Sequence, residues 1–232
     1  MALFTLDGFL FLLRWFHFLA GITWIGMLYY LNLAQTPFLA TELGGQARSA
    51  MLRGLVPTVL WWFRWGAMFT FLTGWTIVIT HMITGTATMA YYSLILTGGT
   101  LGTLMWYNVW FVIMPRQRVM IASAEGVAAG KAADPNAAAV APVAGRASRT
   151  NTLFSIPMLF FMGSARHLSL VRSETPGYTP YLLFMLVVAL LLEANIFSGN
   201  ATTQKPLATV SGTIHAGLAL TLVLFIAASA LL

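Results

Sequence analysis

The chain has 232 residues, of which 59% are hydrophobic and 8% are charged, and its net charge is +6. Soluble domains carry about 25% charged residues, so this composition excludes a soluble domain and indicates a protein whose solvent is a lipid bilayer. The basic residues fall between apolar stretches, which is not the pattern of a nucleic-acid-binding protein. The absence of cysteine excludes disulfides, iron–sulfur clusters and covalently attached c-type haem.

Six stretches are apolar enough for helices that cross a hydrocarbon core, which takes roughly 20 residues. They lie at about 8–34, 59–83, 89–114, 151–170, 179–198 and 208–232. Pro37 is expected to stop the first span, and Pro157 interrupts the fourth. The sequence therefore predicts one all-α integral membrane domain over residues 1–232, a bundle of about six transmembrane helices.

The connections between the spans predict the orientation of the bundle. Residues 115–150 are rich in Ala, Gly and Pro and are expected to form a flexible loop. Eight basic residues fall on one side of the spans: Arg48, Arg53, Arg116, Arg118, Lys131, Arg146, Arg149 and Lys205. The other side receives Arg166 and Arg172. Because basic loops stay in the cytoplasm, we expect a multi-pass protein of the bacterial inner membrane with both termini in the periplasm.

The first span carries two ionisable side chains inside an apolar run, "LLRWFHFLAGITWIG". Arg14, His17, Gly21 and Trp24 share one face of a helix. His17 is expected roughly 15 Å into the membrane from the outer side. Two interpretations are open. Either Arg14 snorkels to the surface and His17 is satisfied by a carbonyl, or His17 binds a metal and Arg14 neutralises an anionic group of the cofactor.

Two further histidines are expected at a similar depth. His81 lies near the outer end of the second span, and His167 lies near the outer end of the fourth. Helix bundles hold cofactors with histidines that face one another, and two neutral imidazoles ligate a b-type haem whose propionates need cations. Copper or zinc bound by three histidines ranks second, with copper as the runner-up cofactor, because no carboxylate or cysteine in the outer half would complete such a site.

Glu193 and His215 are expected in the cytoplasmic halves of the fifth and sixth spans. Either they form a hydrogen bond that fastens two helices, or they are a proton-handling pair, because an unpaired carboxylate in a membrane is protonated or finds a partner. The stretch "LWWFRWG" at 60–66 is typical of an aromatic belt at the cytoplasmic membrane interface.

Three stretches, "LLRWFHFLAGITWIGMLYYLN", "TLMWYNVWFVIMPRQRVMI" and "RTNTLFSIPMLFFMGSARH", resemble the membrane domain at the N-terminus of bacterial membrane-bound urate oxidases linked to cytochrome c. The resemblance runs from about residue 10 to 200. It implies an inner-membrane protein linked to electron transfer in urate oxidation. His17 matches the histidine of the first motif and His167 the one that ends the third, whereas His81 has no counterpart. This implies His17 and His167 as the ligand pair, with His81 as runner-up.

The resemblance and the histidine depths together predict a function. We expect a membrane electron-transfer subunit of an oxidoreductase, cytochrome b-like, with a bis-His haem b held by His17 and His167 and flanked by Arg14 and Trp24. The sequence contains no CxxCH, the haem-attachment motif of the family's cytochrome c domain. Electrons are therefore expected to pass to a separate cytochrome c or to other subunits of a membrane complex. The alternative is a non-catalytic accessory subunit of a larger respiratory or energy-transducing complex.

Overall fold

The computed structural model describes residues 2–168, 170 and 175–232, and within these ranges the chain is helical without a strand. The α-helices are α1 (Leu6–Tyr29), α2 (Thr36–Leu39), α3 (Glu42–Ala50), α4 (Val56–Thr84), α5 (Met89–Tyr107), α6 (Met114–Ala128), α7 (Pro135–His167), α8 (Tyr178–Ser198) and α9 (Val210–Leu231). Wider π-helical turns at Tyr30–Gln35, Met51–Leu55 and Asn108–Ile113 join α1 to α2, α3 to α4 and α5 to α6. Six continuous helices result, which confirms the predicted all-α architecture.

Four of these continuous helices are long and apolar enough to cross a membrane: Leu6–Leu39, Glu42–Thr84, Tyr178–Ser198 and Val210–Leu231. The α5–α6 helix and α7, expected as the third and fourth spans, are less apolar than these four, and both contain Gly, Ser, Thr and Asn residues. They pack against each other, and α7 also packs against α9. Because these two helices bury their small and polar residues against protein, they need less apolar surface than a helix surrounded by lipid.

The first two continuous helices run antiparallel. The imidazole of His17 on α1 contacts Thr73 on α4, whereas Trp24, two turns further along α1, lies against Gly66. Residue numbers therefore rise on α1 as they fall on α4.

The remaining helices continue this alternation. α5 and α7 are antiparallel, with Gly98 beside Met162 and Asn108 beside Asn151. The backbone N–H of Gly177, just before α8, donates to the carbonyl of Leu231 at the end of α9. The start of α1, the α4–α5 connection, the end of α7, the start of α8 and the end of α9 therefore lie at one end of the bundle, which we call the terminal end.

The opposite end carries the connections at 40–41, 129–134 and 199–209. The eight basic residues counted above, Arg48 through Lys205, lie on helices and connections toward this end, which we call the basic end. The start of α1 and the end of α9 thus lie at the same end of the bundle, away from the excess of positive charge. Arg172 lies outside the described residues.

Each π-helical turn ends two residues before a proline: Pro37, Pro57 or Pro115. A proline has no N–H to donate, and its ring collides with the carbonyl four residues earlier in an ordinary helix. The wider turn relieves this collision, and the N–H before each proline bonds five residues back, as Thr36 does to Leu31. Pro37 therefore does not stop the first helix where we expected, since the helix continues to Leu39.

The segment 115–150 is not the loop that its composition predicted. α6 continues to Ala128, α7 begins at Pro135, and only residues 129–134 lie outside the helices. Alanine has the highest helix propensity of all residues, and Ala144 and Ala147 are small enough to be buried against neighbouring helices. Asp134 caps α7 by accepting a hydrogen bond from the backbone N–H of Asn136.

Candidate functional site

His17 lies half-buried between α1 and α4, with its ring against Gly74. The Thr73 hydroxyl donates to the Phe69 carbonyl at 2.6 Å, so it accepts from the imidazole Nδ1 of His17 at 3.1 Å. Nδ1 therefore carries the proton and Nε2 carries the lone pair, to which no described residue donates a hydrogen bond. This tautomer, fixed by a bond on the far nitrogen, is the one that metal-binding histidines adopt.

The terminal end brings together polar side chains from further helices. An Arg166 guanidinium nitrogen on α7 lies 3.4 Å from His81 Nε2 on α4, and the guanidinium carbon lies 4.5 Å from the centre of the Tyr91 ring on α5. A guanidinium can only donate, so His81 Nδ1 carries the proton that is shared with the Thr86 hydroxyl, 2.7 Å away. Both nitrogens of His81 are thus engaged.

Arg14 and Trp24 lie on either side of His17 along α1. Arg14 is exposed toward the terminal end, within electrostatic range of His81 and Tyr91. Trp24 is 1% exposed at the crossing with α4, and its indole N–H has no hydrogen-bond partner among the described residues. Arg14, His17 and Trp24 therefore form a line that runs from the terminal end into the bundle.

His167 is exposed and is the last residue of α7, next to Arg166. The three histidines singled out from the sequence thus lie toward one end of the bundle. Within the described ranges, no contact joins His167 to His17, so their pairing as ligands stays a prediction. No three His, Asp or Glu side chains of the described residues come close enough together to hold a metal ion.

A second polar cluster lies deeper, toward the basic end. The side-chain amide of Asn108 donates to Asn151 Oδ1 at 2.9 Å and to Glu193 Oε2 at 3.0 Å. The Asn151 amide donates to the Met105 carbonyl at 3.0 Å. All three polar side chains are buried, and Asn108 Oδ1 and Glu193 Oε1 have no partner within the part of the chain described. This cluster joins the π-helical turn after α5 to α7 and α8.

The structure does not bring Glu193 and His215 together. His215 is exposed on α9, with its Nδ1 2.8 Å from the Ser211 carbonyl on the same helix. Glu193 is bound by Asn108 instead. Sequence reasoning missed Asn108 and Asn151, although an asparagine inside an apolar span, seven residues before Pro115, is a signal of a polar contact between helices.

The family model for the N-terminal part of urate oxidase matches residues 76–228, which is more than half of the chain. The chain belongs to the urate oxidase N-terminal family. The match includes His81, His167 and the Asn108–Asn151–Glu193 cluster. It begins inside α4 and reaches α9, so it starts later and ends later than the resemblance at about 10–200. Arg14, His17 and Trp24 precede it.

No curated protein and no solved structure matches the chain.

Proposed function

We propose that this member of the family is a membrane electron-transfer subunit of an oxidoreductase, with a b-type haem bound at the terminal end. One observation carries the proposal. His17 is held in a membrane helix by Thr73 in the tautomer that leaves Nε2 free to ligate iron. When bound, the haem would supply one-electron transfer.

The residues of the terminal end fit several requirements of this cofactor. His17 offers its Nε2 lone pair, and Arg14 is an exposed cation toward the end of the bundle, suited to a propionate. The engagement of both His81 nitrogens by Thr86 and Arg166 disfavours His81 as a ligand. His167, with an exposed side chain, is the second ligand that we propose.

The family suggests the wider setting. We infer that the protein lies in the bacterial inner membrane, with the terminal end in the periplasm, and takes part in the oxidation of urate. Its electrons would leave through a separate cytochrome c or through other subunits of a membrane complex. A periplasmic terminal end would place the proposed haem near such a soluble acceptor.

The visible spectrum of the purified protein, with pyridine extraction to identify the haem, tests the proposal. The wild-type protein should show the sharp reduced bands of a bis-His haem. His17→Ala and His167→Ala should lose them, whereas His81→Ala should keep most of the haem. Equal loss in the His81 variant would mean that the second ligand is misassigned. Detection of bound copper in a protein without haem would show that copper, the second choice, is the cofactor.

A second function, that of an accessory subunit without a cofactor, is favoured by one observation. His81 and Arg166 already have partners within the bundle, as helix-fastening residues do. This function predicts a colourless, metal-free protein that purifies with a larger respiratory complex. In that case, His17→Ala would change the stability of the bundle without changing any spectrum.

A further inference from the structure

A cleft toward the basic end, between α4 and α6, combines two cations with an aromatic and apolar lining. Its volume is about 180 Å³, and Arg64 and Arg118 line it together with Trp61, Leu60 and Met114. Arg118 is exposed, whereas Arg64 is half-buried. The cleft therefore has one cation at its rim and one inside it.

The guanidinium of Arg64 is held in place by aromatic rings rather than by a carboxylate. Its central carbon lies 5.6 Å from the centre of the Trp65 ring and 5.4 Å from that of the Trp110 ring. The two indoles pack edge to face, with their centres 5.7 Å apart. Ring faces attract a cation but leave its N–H donors unused. Accordingly, Arg64 Nε is buried and has no hydrogen-bond partner among the described residues.

The surroundings of the cleft are those of a membrane interface. Trp61 and Trp62 are 49% and 51% exposed, and tryptophan is enriched where the lipid headgroups meet the hydrocarbon. Leu72, about three turns along α4 from Trp61 and on the same face of the helix, is also exposed. A ligand in this cleft would thus meet positive charge at one end and an apolar helix face at the other.

We propose that the Arg64–Arg118 cleft binds the headgroup phosphate of an anionic phospholipid, with the acyl chains against the exposed apolar face of α4. A guanidinium can form two parallel charge-assisted hydrogen bonds to a phosphate, and Arg64 loses little freedom on binding because the two indoles already hold it. Basic pockets between membrane helices on the cytoplasmic side are suited to anionic headgroups. A zwitterionic lipid brings a second, positive charge close to both arginines, so it should bind less tightly.

Binding of fluorescent phosphatidylglycerol to the purified chain in neutral detergent tests this site, with fluorescent phosphatidylcholine in parallel. Arg64→Gln and Arg118→Gln should each weaken binding of phosphatidylglycerol about fivefold, the factor for about 1 kcal/mol per basic residue. Binding of phosphatidylcholine should not change. Arg53→Gln is the matched control, since Arg53 is an exposed arginine at the basic end that does not line the cleft.

The outcomes separate the proposal from its alternatives. The proposed site would be wrong if both cleft variants bound phosphatidylglycerol as tightly as the wild-type protein. It would also be wrong if Arg53→Gln weakened binding equally, because that result would show general charge attraction. Because Arg118 is exposed, its variant tests the site even if Arg64→Gln fails to fold. Inorganic phosphate at millimolar concentration should leave the lipid bound. Full displacement by phosphate would assign the cleft to a free anion instead.

Discussion

Gly74 on α4 faces the imidazole of His17 on α1 so closely that a Cβ at position 74 would lie 2.9 Å from the ring carbon Cε1. Real Cβ contacts are essentially never this short. A methyl group at position 74 would therefore push the imidazole away from its place beside Thr73. Gly66, Thr70 and Gly74 repeat every fourth residue, a small-residue pattern that lets membrane helices approach closely.

Gly74→Ala should displace the imidazole of His17 and weaken its bond to Thr73. We expect a loss of stability of about 1–3 kcal/mol, the usual cost of overpacking, together with loss of the proposed haem. Unfolding in mixed detergent micelles and the visible spectrum measure the two effects separately. Gly26→Ala is the control on α1, since nothing lies within 4 Å of a Cβ there. A Gly74→Ala protein as stable as this control would contradict the packing.

The Asn108–Glu193 contact predicts a non-additive pair of substitutions. Asn108→Leu leaves the buried carboxyl of Glu193 without its donor and should cost about 1–3 kcal/mol in the free energy of unfolding. Adding Glu193→Leu removes the carboxyl as well and should restore part of that loss, because two apolar side chains need no partner. Unfolding titrations of the two single variants and the double variant measure the coupling. Strictly additive losses would show that the amide does not support the carboxyl.

The number of long helices could be predicted because the thickness of the bilayer sets the length of an apolar span. For the same reason, the histidines could be assigned a depth. The neighbours of each helix could not be predicted. Glu193 and His215 were expected at similar depth, but α8 turns Glu193 toward α5, whereas His215 is exposed on α9. The position of a residue along its helix follows from local sequence, whereas its facing partner depends on packing between distant segments.

The wrong prediction for residues 115–150 has a different cause. Low-complexity composition indicates a loop when the residues cannot form or bury a helix. Alanine does both, because it has high helix propensity and fits into close crossings. The same limit applies to the π-helical turns. A proline such as Pro115 shows that the regular α-helical hydrogen-bond pattern must be interrupted. It does not predict whether the helix ends there or continues through a wider π-helical turn.

The distribution of basic residues predicts that the basic end faces the cytoplasm. The chain contains no cysteine, so single introduced cysteines report topology without background. Ala133→Cys, in the exposed α6–α7 connection, should resist a membrane-impermeant thiol reagent in intact cells and react after lysis. Ala87→Cys, in the α4–α5 connection at the terminal end, should react in both conditions. Efficient labelling at position 133 in intact cells would show that the topology is the reverse of the predicted one.

Arg14 distinguishes a surface cation from one that serves the proposed haem. If Arg14 only snorkels to water or lipid phosphate, lysine should replace it with little effect. If it binds a propionate, its planar fork makes two parallel bonds that an ammonium cannot reproduce, so Arg14→Lys should keep the haem and shift its midpoint potential.

The sign of that shift follows from charge. Ferric haem carries one more positive charge than ferrous haem, so a nearby cation disfavours the oxidised form and its loss lowers the potential. Arg14→Gln should therefore shift the potential in the same direction as Arg14→Lys and further. We expect tens of millivolts, on the scale where ~59 mV is a tenfold change for one electron. Redox titration of the haem-loaded variants measures the shift. An unchanged midpoint potential in Arg14→Gln would show that Arg14 only snorkels to the membrane surface, whatever His17 binds.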